Sequence, residues 1–340
     1  RAVRRRMVAD VPVGVLLSGG LDSSLIVGLL AEQGQENLNT FSVGFEAVGD
    51  TEGNEFRYSD LVAAQFGTEH HKLEISTGAM LDNLPATIAA MSEPMVSHDN
   101  VGFFLLASEV SKHLKVVQSG QGADEVFGGY HWYPPMVASQ DAVGDYLAAF
   151  SDRDFHEYQQ VVAPAWVTED FARAFVEQRF GTDEGLTPVD KALHLDTTTM
   201  LVEDPVKRVD NMTMAYGLEA RVPFLDHEVV EFAAAMPARF KVGSGGKYIL
   251  KEAAREIIPG EVIDRPKGYF PVPELTYIRG PVYDYVRDTL DSSGALNRGL
   301  FNRDYVDTLL QAPEQHITPL NGSKLWQVAL LETWLQANGI

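Results

Sequence analysis

The 340-residue chain contains no cysteine. That excludes disulfides, thiolate-held metals and cysteine nucleophiles together. Long apolar runs are missing as well: no stretch approaches the roughly 18 uninterrupted apolar residues of a membrane helix. The basic start, RAVRRRM, leads into a polar and charged stretch rather than the apolar core of a signal peptide. A cytoplasmic protein that stays off membranes is expected. Positive charge is also scarce, with 27 Lys and Arg against 48 Asp and Glu and a formal net charge of −21. Such a chain repels phosphate backbones, and a nucleic-acid groove would need a local basic patch. No basic run occurs beyond Arg4, Arg5 and Arg6, which read as a solvated helix face. No nucleic-acid partner is expected, and the acidity reads as solubility.

What the chain does contain suits a packed globular protein, since 45% of its residues are hydrophobic. The first part reads as α/β. Val13, Gly14, Val15, Leu16 and Leu17 form a short apolar run ending in glycines, as a buried parallel strand would. Leu21, Leu25, Leu29 and Leu30 then recur at helical spacing. Further strands are expected over residues 40–45, 70–75 and 114–118, with helices over 54–66, 79–91 and 103–113. Strands alternating with helices argue for a doubly wound parallel sheet, with ligands beyond the carboxyl ends of its strands. From about residue 141 helical periodicity dominates, broken by prolines, and no β alternation of comparable quality is seen. The expected division is an α/β nucleotide-binding core over 1–140 and a mainly helical portion over 141–340 that completes the site.

The strongest local signal is VGVLLSGGLDSSLIVGLL, which reads strand, loop, helix. Gly19 and Gly20 let the backbone approach an anion without a Cβ clash. The following helix offers free N–H groups and the positive end of its dipole. Ser18, Ser23 and Ser24 add hydroxyls. Asp22 makes sense beside a polyphosphate when Mg²⁺ lies between them. The plainer alternative is a capped helix start after a glycine turn. The string is neither a Walker loop nor a dinucleotide fingerprint.

SGGLDSS after a buried strand resembles the PP-loop of the ATP pyrophosphatases, an adenine-nucleotide hydrolase type of fold. Within them the chain resembles the synthetase domain of the asparagine synthetase family, a class II glutamine amidotransferase family. Ser42 to Glu46 (SVGFE) is similar to the family's second strand, and SGQGADEVFGGY, residues 119–130, to its second phosphate-side loop. KRVDNMTMAYGLEARVPFLD (207–226), GKYILKEA around Lys247, RPKGYF (265–270) and LWQVALLETWL (325–335) match later blocks in order.

The resemblance implies a two-step reaction using ATP and Mg²⁺. A substrate carboxylate attacks the α-phosphate to give an acyl-adenylate and pyrophosphate. Ammonia then displaces AMP to leave an amide. By resemblance Asp22 and Asp124 hold the Mg²⁺, and Ser18, Gly20 and Ser24 cradle pyrophosphate. Leu17, Gly19, Ser23, Ser119 and Gly120 belong to the same nucleotide site, with Val43, Gly44 and Phe45 at the adenine. Lys247 offsets charge at the α-phosphate. Each assignment has a plainer alternative: Asp124 and Glu125 as helix caps, Lys247 as a solvated lysine, Glu219 and Arg221 as a structural ion pair. His70 and His71 read as structural. His98 and Asp99 lie between helices, where a substrate could bind.

Two departures stand out. Family members typically read S-G-E-G in the second loop, where the glutamate assists ammonia in losing its proton; here the position is Gln121. Glutamine is no general base near neutral pH. Either Glu125 or Glu219 takes the proton, or the acceptor differs from aspartate. GQGADEVFGGYHWYP is similar to a bacterial subgroup, the N-acetylglutaminylglutamine amidotransferases, which amidate a small dipeptide. The family's glutaminase domain, with its cysteine nucleophile, is missing from this chain. The reading is therefore the synthetase half of a longer protein, supplied with ammonia from outside, and a homodimer is among the assemblies considered. Two other readings compete: a tRNA-modifying PP-loop enzyme, and a non-catalytic interaction module. The glycine-rich segments at 243–246 and Gly268 read as mobile lids.

Overall fold

In the computed structural model the described residues are 1–47, 53–182, 185–266, 272–319 and 321–340. Five strands form one parallel sheet: β1 (Val13–Leu16), β2 (Asn39–Phe45), β3 (Glu69–Ile75), β4 (Val116–Gln118) and β5 (Glu219–Arg221). Their spatial order is β3-β2-β1-β4-β5. β1 sits at the centre, and the order reverses there between β2 and β4. Such a reversal opens a crevice beyond the strand ends, where an α/β sheet binds its ligand.

Burial explains why these segments are strands. All four residues of β1 are buried, so the strand reads as a continuous apolar run rather than an alternation. Successive side chains still serve opposite faces. Val15 and Leu17 pack with Leu25, Ile26, Val27 and Val62, whereas Leu16 packs with Phe41, Met80, Phe104 and Leu106. Helices therefore cover both faces, as the sequence pattern indicates. Helix α1 is Ala2–Arg5, α2 Leu21–Glu32, α3 Phe56–Phe66, α4 Thr77–Ala89, α5 Asn100–Val110 and α6 Ala123–Phe127. α2 is buried around most of its circumference, including Ser23 and Ser24. β3, at the sheet edge, carries polar residues along most of its length, a composition that discourages further strand pairing.

β5 departs from the sequence-based expectation. Three residues, Glu-Ala-Arg, carry no apolar signature, yet they pair with β4 in the register Val116 to Glu219 and Gln118 to Arg221. The strand is brought there by the helix Lys207–Met214, which packs on α5. The later portion is otherwise helical. Its C-terminal helix, Lys324–Ala337, contributes Leu325, Trp326 and Leu330 to the same core cluster that holds Leu16 and Phe41. Among the described residues no helix is long and apolar enough to cross a membrane.

At the basic N-terminus Arg4 and Arg5 are exposed, as a solvated face would be, but Arg5 and Arg6 also share a partner the sequence did not suggest. Both guanidinium groups converge on Asp226, at 3.0 and 2.6 Å, and the Asp226 side chain is only 4% exposed. Asp226 caps the helix His227–Ala234 through the Glu228 N–H. A buried carboxylate of this kind draws cations from wherever the chain supplies them, here 220 and 221 residues away in sequence.

Candidate functional site

The turn between β1 and α2 builds the site's floor. Gly19 has a φ of +76°, and a Cβ there would lie 2.6 Å from the Ser59 nitrogen, so the turn needs glycine on both conformational and steric grounds. The Ser18 and Ser23 hydroxyls are 3.1 Å apart, and the Ser18 N–H donates to Ser23 Oγ at 3.2 Å. α2 begins at Leu21, so its first N–H groups open toward the crevice. β4 ends beside this turn, and Ser119 and Gly120 follow it. A cavity of about 380 Å³ opens here, bounded by both turns and by residues of the later portion.

Lys247 closes the cavity from the opposite side. Its backbone has a φ of +53° and a conformation in the left-handed region, just before the helix Tyr248–Ala254. Its Nζ lies 2.6 Å from Asp22 Oδ2 and 2.9 Å from Asp124 Oδ1. Burial disfavours the ammonium, but the two carboxylates outweigh it and hold the Lys247 pKa above its ordinary value. Two acids from two strand-end turns thus converge on one cation. Gly129 makes room for this arrangement: a Cβ there would lie 2.0 Å from Asp124 Oδ1 and 2.3 Å from Lys247 Cε.

Two further ion pairs border the cavity. Asp99 accepts from Ser97 Oγ at 2.6 Å and lies 3.2 Å from Arg208 Nε. Arg208 also binds Asp204 at 2.8 Å. At the other end Arg265 pairs with Glu55, donates to the Gly19 carbonyl at 3.1 Å, and lies 4.2 Å from the centre of the Tyr58 ring. Burial raises the Glu55 pKa despite that partner.

Of the residues singled out from sequence, Leu17, Ser18, Gly20, Asp22, Ser23, Val43, Asp99, Ser119, Gly120, Gln121, Asp124 and Lys247 line the cavity together. Gly19, Ser24, Gly44 and Phe45 stand behind that surface; Ser24 is fully buried, and its hydroxyl has no partner among the described residues. Glu125 is 1% exposed beneath Asp124 and accepts from Tyr130 OH at 2.8 Å. Burial, followed by the Asp124 charge, pushes its pKa up to about 7.

Three more assignments, His98, Glu219 and Arg221, also fall outside the cavity lining. His98 sits with Met91, Leu275 and Trp326. Glu219 and Arg221 pair at 2.7 Å on β5, and Arg221 Nη1 donates to the Arg6 and Val8 carbonyls at 2.8 and 2.9 Å. Their contacts strap the N-terminal segment to the sheet edge. His70 lies under β2, with its ring nitrogens near Thr40 Oγ1 at 2.9 Å and Ser59 Oγ at 3.2 Å. Residues 243–245 form a 3-10 turn, while Gly268 lies outside the described residues.

Sequence reasoning did not single out Phe103, Leu106, Gly129, Lys251, Val262, Glu55 or Arg265 as site residues, although Gly129, Lys251 and Arg265 stand inside blocks it quoted. Helical spacing was the available signal for Lys251, four positions after Lys247.

The chain's similarity to known proteins agrees with this geometry. A family model described as asparagine synthase matches residues 1–336. The chain is 30% identical over 374 aligned residues to asparagine synthetase [glutamine-hydrolyzing] 1 of Bacillus subtilis, covering 99% of this chain and 58% of that protein. It is 33% identical to a putative asparagine synthetase [glutamine-hydrolyzing] of Mycobacterium bovis, covering 86% of this chain and 50% of that one. A Gallus gallus asparagine synthetase [glutamine-hydrolyzing] is 28% identical over 79% of this chain and 41% of its own length. The chain spans about half the length of the curated relatives it matches. A doubly wound sheet, a PP-loop at its switch point and a match across almost the whole chain lead to one conclusion: this protein belongs to the asparagine synthase family.

Proposed function

We propose that this chain is an ATP-dependent amide-forming ligase domain that activates a small-molecule carboxylate as an acyl-adenylate. The convergence of Asp22, Asp124 and Lys247 at the PP-loop supports this reading most strongly. In the first step a carboxylate oxygen of the acceptor attacks the α-phosphorus, and the bond to the bridging oxygen of pyrophosphate breaks. In the second, the ammonia lone pair attacks the acyl carbon, a proton is lost, and AMP leaves with the bonding pair. The protein forms no covalent bond in either step. It positions the reactants and offsets developing charge.

The PP-loop N–H groups and the Ser18 and Ser23 hydroxyls face the cavity as donors for pyrophosphate. Val43, on β2, lines the cavity, which supports a backbone contact there with the adenine edge. Lys247 presents its ammonium between the two phosphate-side turns. The donor set fits Mg²⁺, which takes one or two carboxylates together with substrate phosphate oxygens and water. Asp22 and Asp124 would hold it, and the ion would neutralise charge on the departing pyrophosphate. Lys247 ties both acids together until a nucleotide competes for it.

Gln121 lines the cavity and offers an amide where the family resemblance implies a glutamate. It can orient a substrate by hydrogen bonds but cannot accept ammonia's proton. This supports an acceptor other than aspartate, with an acetylated glutaminyl dipeptide the sharper candidate. Glu125, beside Asp124 in the chain, has a raised pKa, but it lies beneath the cavity rather than in it. These 340 residues hold no cysteine that could release ammonia from glutamine, so they are proposed to use ammonia formed elsewhere. The net charge of −21 disfavours the tRNA-modifying alternative. Cytoplasmic localisation is part of the same proposal, since ATP and small carboxylates are the substrates.

A pyrophosphate-release assay with ATP, Mg²⁺, ammonia and either aspartate or an acetylated glutaminyl dipeptide tests this. Acceptor-dependent release is expected, faster with the dipeptide. ATP binding without release from any carboxylate would favour a non-catalytic module. Preference for aspartate would end the dipeptide reading.

A further inference from the structure

The cavity's cations are not equivalent. Among the described residues three basic side chains line it: Lys247, Lys251 and Arg265. Lys247 is held by two carboxylates and Arg265 by Glu55. Lys251 makes no ion pair or side-chain hydrogen bond among the described residues, although it is half-buried on the cavity wall. Both reach the cavity, Lys247 from the left-handed residue just before the helix Tyr248–Ala254 and Lys251 from within that helix. The two are linked through the backbone, where the Lys251 N–H donates to the Lys247 carbonyl at 2.8 Å.

An ammonium partly withdrawn from water without an acidic partner is unfavourable in an empty site. Its pKa is lowered, first by burial and next by the charge of Lys247. Two of the three lining cations are already matched by acids. A polyphosphate bringing several negative charges therefore meets one cation that no ion pair among the described residues holds, although the charges of Asp264 and Asp22 partly offset its own. Other lining residues from the later portion offer no charge: Val262 and Ile263 are apolar, and Gly245 and Gly246 have no side chains.

We propose that Lys251 is a second polyphosphate-binding residue, taking a β- or γ-phosphate oxygen of ATP and retaining the pyrophosphate product. This rests on the acyl-adenylate reading above and deepens it. It divides labour between the two lysines. Lys247 is locked to the acidic pair and acts where charge develops. Lys251 is uncommitted and supplies ground-state affinity for the phosphate tail. The adenosine part of the nucleotide gains nothing from it.

The test is calorimetric binding of Mg-pyrophosphate, Mg-ATP and adenosine to the chain and to Lys251→Met and Lys251→Arg. In Lys251→Met, pyrophosphate and ATP should each bind about tenfold or more weakly, the loss of one charge-assisted contact. Adenosine should bind as before, and Lys251→Arg should recover most of the phosphate affinity. Equal pyrophosphate affinity in Lys251→Met and the parent would overturn the assignment while leaving the ligase reading standing. An equal loss for adenosine would also overturn it, marking Lys251 as structural. A parent chain that binds neither pyrophosphate nor ATP would overturn both.

Discussion

Two regions of this protein bury acidic groups, and they satisfy them differently. In the helical portion Asp196 is fully buried and accepts from Trp132 Nε1 at 2.9 Å, Tyr133 OH at 2.6 Å and Tyr146 OH at 2.5 Å. All three donors are neutral. Burial raises the Asp196 pKa, and the three hydrogen bonds oppose that shift. The packing around it is aromatic, with Tyr146 stacked on Phe150. At the carboxyl ends of the strands, by contrast, Asp22 and Asp124 face a cavity and share one cation. Neutral donors that fully enclose an acid make a fixed knot that no ligand can enter. A shared cation at a cavity wall leaves carboxylate oxygens able to exchange partners. The first arrangement specifies packing; the second suits chemistry.

Asp22→Asn should break this contrast most severely. Turnover is expected to fall about 10³-fold or more, because one of the two acids needed at the pyrophosphate is lost. The melting temperature should move little, since Asp124 still holds Lys247. Normal pyrophosphate release in that variant would sink the assignment of the acidic pair.

Asp196→Ala should show the opposite profile. Three buried donors would lose their acceptor, at a cost of about 3 kcal/mol or more in urea denaturation. Activity per folded molecule should stay near that of the parent. A loss below about 1 kcal/mol would mean the knot is not structural in the sense argued.

The smallest expected effect belongs to His70. Its pKa is lowered from the ordinary value of 6.5, first by burial, with Asp60 at 3.9 Å opposing. The folded state therefore favours neutral imidazole. The contribution is present above the unfolded pKa and is lost as pH falls through the lower folded one. Stability measured from pH 7.5 downward should thus begin to fall below about pH 6.5. His70→Gln should flatten that slope by about 1 kcal/mol or less. A slope unchanged in His70→Gln would assign the titration elsewhere.

The sheet's first four strands and the PP-loop were legible because each signal was local. β1 is a continuous apolar run, and the glycines mark a turn whatever surrounds them. β5 was invisible because its pairing with β4 depends on the helix that precedes it, not on its own composition. The structural ion pair of Glu219 and Arg221 was among the alternatives the sequence offered, whereas the N-terminal carbonyls that Arg221 also binds are remote in sequence. The shared partner of Arg5 and Arg6 was hidden because Asp226 is remote in sequence. The site followed a similar rule. Asp22, Asp124 and Lys247 stand inside strong motifs, and Lys251 shares the block of Lys247, whereas Glu55 reaches the cavity only through the way its segment packs. Gly129 shows the limit most clearly: its role depends on atoms of Asp124 and Lys247 that no sequence pattern places beside it.

The central claim is that the acceptor carboxylate attacks the α-phosphate of ATP. The most direct measurement uses an acceptor labelled with ¹⁸O in its carboxylate, together with ATP, Mg²⁺ and ammonia. The account predicts one labelled oxygen in AMP and none in pyrophosphate. Label appearing in orthophosphate, with ADP as the other product, would contradict it.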